Sequence, residues 1–183
     1  KSLLNKKVDA EFTDATNMHV LKNTKALVNS LTYTKIQDTV TATLNNASHW
    51  NDGKRDITLH KSTATAQKYD QILTHALNGD VASTVKGAVV DDVSALTTAK
   101  TLSLTGATSV TAKLQSNGTD KDLTSTDLHA KVTAIDLNNQ TAILDATDLA
   151  KSITGSGTYS IQDSDANIAG LAAAKYTGKA ITI

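Results

Sequence analysis

The chain has 183 residues, 39% of them apolar and 20% charged, which allows one compact domain or two small ones. Lys and Arg total 18 against 18 Asp and Glu, so the formal net charge is zero and no broad field draws the chain onto nucleic acid or anionic lipid. Cys and Pro are both absent, which removes disulfide frameworks, thiolate metal sites, cysteine nucleophiles and Pro-stiffened linkers together.

No apolar run approaches the roughly 18 residues of a membrane span, so none is expected, and Lys1 to Lys7 lacks the apolar core of a signal peptide. Any targeting signal is expected to lie outside this chain. From Asp14, the apolar residues Met18, Val20, Leu21, Leu27, Val28 and Leu31 recur at helical spacings. They predict a helix capped by Thr13 or Asp14 and ending near Ser30. Thr39 to Leu44 alternates Val40, Ala42 and Leu44 with Thr residues, which predicts a strand, and Ile57-Thr58-Leu59 predicts a shorter one. Ser62 to Leu77 carries the clearest helical pattern. Ala66, Tyr69, Ile72, Leu73, Ala76 and Leu77 form one stripe, Ser62 and Thr63 supply capping groups, and Gly79 follows the end.

After about Asp80 the pattern changes to short strands separated by turns or short helices. Val93 to Ala99 reads as a helix capped by Asp91 or Asp92, followed by a strand at Thr101 to Leu104. Further strands are predicted at Ser109 to Leu114, with Val110, Ala112 and Leu114 inward, and at Val132 to Leu137, with Val132, Ala134 and Leu137 inward. Thr141 to Leu144, Thr158 to Ile161 and Lys179 to Ile183 complete the set. The fold class is therefore α+β: a mixed, helix-containing region over 1–80, and a β-rich, repeat-like region over 81–183 that is solenoid-like or sandwich-like.

Two internal offsets support the repeat-like reading. Thr126-Asp127-Leu128 and Thr147-Asp148-Leu149 lie 21 residues apart, as do the strand starts at Thr158 and Lys179. A period in the range of about 20 to 50 residues signals stacked units, none of which buries its apolar face alone. The stretches Thr147 to Ile161 and Asp163 to Leu171 resemble the Thr/Ala/Asp-rich strand-turn-helix repeats of large secreted bacterial surface proteins, among them S-layer proteins and type I-secreted adhesins. The resemblance spans roughly Val81 to Ile183 and is tightest in the last forty or so residues. It implies an extracellular, cell-surface location and a structural role. The first eighty residues depart from it, with Lys, His and Trp where such repeats are small and polar.

In the final unit, Asp163 or Ser164 is expected to cap a helix whose inward stripe is Ile168, Leu171 and Ala172, and its many Ala residues suit close stacking. The sequence stops on Ile181-Thr182-Ile183, an apolar strand pattern without a polar cap. Either more sequence or another copy is expected to cover that edge.

Candidate chemistry is sparse. Asp163, Asp165 and Asn167 offer oxygens at alternating positions, a calcium-ligating pattern, but Ile168 and Ala174 stand where an EF-hand needs Gly and a bidentate carboxylate. Helix capping competes with calcium there. The five His show no HExxH spacing, and Gly155-Ser156-Gly157 reads as a turn rather than a nucleophile elbow, so no catalytic residues are assigned. One Phe, one Trp and four Tyr are few for lining a ligand pocket. Trp50, in the polar stretch His49 to Asp56, is either a small-core anchor or a contact for a glycan or partner. The expected function is non-enzymatic: self-assembly with copies of itself into a surface layer, sheath or filament, with calcium as a candidate ordering ion. The alternative is an adhesin module that binds a cell-surface glycan through Trp50.

Overall fold

A computed structural model describes residues 10–12, 16–27, 31–33, 35–49, 56–77, 84–116 and 121–183. The backbone forms two units, residues 1–88 with 103–108 and residues 89–102 with 109–183. Secondary structure is mixed, with helices interleaved among parallel sheets.

In the first unit, β1 (Ala10–Phe12) pairs in parallel with β2 (Leu31–Tyr33), and α1 (Met18–Leu27) lies between them in sequence. Parallel neighbours need such a crossover, because a tight turn reverses the chain. Asn17 supplies the first-turn acceptor of α1, taking the Val20 N–H at 2.9 Å, whereas the expected caps Thr13 and Asp14 lie outside the described residues. Leu21 is fully buried, but Val20 faces outward, so the inward stripe is narrower than the spacing predicts.

β3 (Lys35–Asp38), β4 (Asp56–Leu59) and β5 (Val85–Lys86) form a parallel sheet in that order. Its registers place Ile36 against Ile57 and Ile57 against Val85, and Thr16 bridges Ile36 on the other side. All four side chains are buried, so one column of β-branched residues runs through the sheet. Pairing partners are 21 residues apart for Ala10 with Leu31 and for Ile36 with Ile57.

The strand predicted at Thr39 to Leu44 is a helix, α2 (Val40–Asn45). Local hydrogen bonds decide this: Thr39 Oγ1 accepts the Ala42 N–H at 3.3 Å, and Thr43 Oγ1 donates to the Thr39 carbonyl at 2.9 Å. Burial follows helical spacing, with Val40 and Thr43 inside, rather than the alternation of the sequence. Thr39→Ala is expected to cost about 1 kcal/mol, and Thr39→Ser to restore it. Amide exchange across residues 40–45 measures both, and an unchanged rate in the Ala variant would show that the cap contributes nothing.

α3 (Ala66–Leu77) forms as expected but starts later than Ser62, with Thr65 Oγ1 accepting the Lys68 N–H at 3.3 Å. Ala66, Tyr69, Ile72, Leu73 and Ala76 are all buried. The Tyr69 hydroxyl faces two acceptors, the carbonyls of Val85 at 2.7 Å and Thr105 at 3.1 Å, and burial pushes its pKa up to about 12. It stays a neutral donor that ties α3 to β5.

In the second unit, β6 (Ala88–Asp92), β7 (Ser109–Lys113), β8 (Ala134–Asp136) and β10 (Ser152–Thr154) form one sheet in the order β10-β8-β7-β6. A second sheet has the order β12-β11-β9, from β9 (Gln140–Leu144), β11 (Gly157–Gln162) and β12 (Ile181–Thr182). From β8 to β11 the chain visits the two sheets alternately. β8 is parallel to both β7 and β10, and β11 to both β9 and β12.

Several expectations change here. The Val93 to Ala99 helix is only a 3-10 turn over Val93–Leu96, and Thr101 to Leu104 is not a strand. In β8 it is Ile135 that is fully buried and Ala134 that is half-buried; Val132 and Leu137 are buried as expected. Burial alternates from Ala134 through Leu137 but breaks just before the strand, between Val132 and Ala134, so counting by twos from Val132 selects the wrong residue. The single helix expected after Asp163 is two short ones, α5 (Asp165–Ala169) and α6 (Ala173–Tyr176). Ile168 and Leu171 are half-buried and Ala172 exposed, so the stripe is not a core. Small side chains with little apolar area per residue leave these turns without the burial that sustains a longer helix.

Candidate functional site

Three successive strands carry one aliphatic column. Register pairs Leu144 with Ile161 and Ile161 with Ile181, and Leu123 follows the bridge between Asp122 and Ile143. Leu123, Leu144 and Ile161 are fully buried, but Ile181 is 42% exposed and Ile183 81% exposed. The expected strand at Lys179 to Ile183 is therefore present as β12, with its apolar side chains open to solvent. Pairing partners are 17 residues apart between β9 and β11 and 20 apart between β11 and β12, against 21 for the offset of the strand starts.

Beside this sheet, the turn over residues 124–128 and α4 (Ala146–Leu149) share a polar cleft of about 420 Å³. Both copies of the Thr-Asp-Leu pattern meet at it. Thr126, Asp127 and Leu128 line one side, and Thr147 and Asp148 the other. Asp145 caps α4, its Oδ1 accepting the Asp148 N–H at 2.8 Å. Asp148 is only 2% exposed, and its Oδ2 finds no hydrogen-bond partner among the described residues. Lys151 Nζ stands 3.6 Å from Asp148 Oδ1 and donates to the Thr147 carbonyl at 3.0 Å. Burial, aided by the negative charge of Asp145, pushes the Asp148 pKa up to about 6 against the pull of Lys151. In the sequence this residue is one of several turn aspartates that could lend an oxygen to calcium, and nothing singles it out. The repeated Thr-Asp-Leu marks the cleft, since both copies line it, but not which of its two acids is buried.

The expected calcium ligands are arranged differently. Asp163 Oδ1 accepts from the Ser164 N–H at 2.6 Å and from Asn167 Nδ2 at 2.8 Å, and its Oδ2 accepts the Ala146 N–H at 3.0 Å. These bonds, that from Ala146 first, hold the Asp163 carboxyl below its ordinary pKa. Asp163 thus ties the start of α5 to the start of α4, while Asp165 lies in the first turn of α5. Among the described residues no three His, Asp or Glu side chains converge as metal ligands. Trp50, which carries the adhesin alternative, lies outside the described residues. His19 and His60 are exposed, and His75 and His129 half-buried.

Among the described residues no helix is long and apolar enough to cross a membrane. Comparison with protein-family models, with curated proteins and with solved structures found no match.

Proposed function

We propose that this chain is a non-enzymatic structural module that self-associates, of the kind found in bacterial extracellular surface layers, sheaths or filaments. In this reading the second unit is a solenoid: each coil of about 20 residues lays one strand on the last, and stacking replaces a single deep core. The observation that carries it is the column Leu123, Leu144, Ile161 and Ile181, buried at three levels and exposed at the fourth. A parallel strand presents its unpaired N–H and C=O groups along its outer edge, so β12 offers both a hydrogen-bonding ladder and an apolar step to a further coil. The cell-surface setting rests on the resemblance of residues 147–171 to secreted surface repeats. Because the Asp163 oxygens already hold three donors, association is proposed to be independent of calcium.

Light scattering and negative-stain microscopy across protein concentration test the proposal, with calcium and with excess chelator. Concentration-dependent polymers are expected under both conditions. Ile181→Lys should abolish them with the unfolding midpoint unchanged, since the side chain is already exposed. A monomer at every concentration would overturn self-association, and polymers that dissolve on chelation would reinstate the metal.

A further inference from the structure

Asp148 is unusual in this chain. A carboxylate removed from water and left with one unpartnered oxygen is costly when ionised and much less so when that oxygen carries a proton. The groups around it act in both directions: the Asp145 charge opposes ionisation, while Lys151 and the backbone hydrogen bond at Asp145 favour it, so burial is the dominant cause. Asp145 sits three residues back on the same turn, and Asp127 lines the facing turn, so two further acids border the cleft. Among the described residues that line the cleft Lys151 is the single cation, and its Nζ lies nearer the Thr147 carbonyl than Asp148 Oδ1. Two further charged groups flank α4: Asp163 is engaged with the Ala146 N–H at the start of the helix, and Lys175 Nζ donates to the Lys151 carbonyl at 3.3 Å beyond its end. The other lining groups, Thr98, Thr124, Ser125 and Thr126 among them, are neutral.

We propose that Asp148 is a proton-operated lock on α4: with a proton on Oδ2 the carboxyl stays buried and α4 is held closed, and loss of that proton draws the carboxyl out into the cleft and loosens α4. The sign follows from linkage. The closed state binds the proton more tightly than an open state in which the carboxyl titrates near its ordinary 3.8. Closure is therefore strengthened as pH falls through about 6 and lost as pH rises through it. The device is independent of self-association, since it concerns α4 and not the β12 edge.

Carboxyl-carbon NMR of Asp148 across pH, with amide exchange at Asp148 and Leu149 corrected for intrinsic rates, tests the lock. A midpoint near 6 is expected, with protection about tenfold lower at pH 7.5 than at pH 5. Asp148→Asn, which keeps the shape and never ionises, should hold protection flat across that range. Lys151→Met should raise the Asp148 midpoint, and it keeps the idea open to refutation should the Asn variant not fold. An Asp148 midpoint below 4.5, a pH slope that survives Asp148→Asn, or a midpoint unmoved by Lys151→Met would each overturn the lock.

Discussion

Leu144→Ala is expected to destabilise the second unit by about 3 kcal/mol. Leu144 is fully buried in β9 and stands in register with Ile161. Removing three carbons there loses their transfer free energy and leaves a cavity, which β11 on one side and the hydrogen-bonded 121–123 segment on the other cannot collapse to fill. The effect should be local to the second unit, so amide exchange is a better probe than a single unfolding midpoint. Protection across 140–144 and 157–162 should fall about a hundredfold. Protection within about threefold of the parent chain would show that the column is not the stabilising feature we assign to it. Leu144→Met, which nearly conserves volume, should cost less than about 1.5 kcal/mol.

The second large effect is expected from backbone, not side-chain, chemistry. Gly157 opens β11 with φ of +147°, a conformation that side-chain-bearing residues rarely adopt. A Cβ there would land on the Gln140 carbonyl oxygen and lie 2.8 Å from Leu137 Cβ, within the pairing that starts β9 against β11. Gly157→Ala should therefore cost about 3 kcal/mol, combining strain with displacement of a paired strand. Gly178→Ala is the control. Its φ is +71°, but nothing lies within 4 Å of the added carbon, so only the conformational cost of about 1 kcal/mol applies. Thermal unfolding of the two variants separates the terms, and equal losses would show that the close approach to Gln140 carries no weight.

The candidate sites were unequally legible. The apolar side of β12 could be read directly, because Ile181 and Ile183 alternate with Thr182. Asp148 could not, because nothing in a Thr-Asp-Leu triplet distinguishes it from Asp127, which stands in the matching triplet and is exposed. Their difference arises from what surrounds each on folding. The Asp163, Asp165 and Asn167 pattern reads as oxygen ligands in a linear sequence, yet the chain turns back so that the Ala146 N–H meets Asp163 from 17 residues away. Spacing alone contains no trace of that contact.

By itself, the sequence determined the α3 stripe and the placing of most strands of the second unit, because apolar periodicity and turn residues act over a few neighbours. The tertiary structure alone decided that the strands pair in parallel, that Ile135 rather than Ala134 faces inward, and that Thr39 to Leu44 winds into a helix. It also decided which of two like aspartates is buried. Register and desolvation depend on residues distant in the chain, and short Thr-rich segments have nearly equal preferences for strand and helix, so packing and capping bonds settle them.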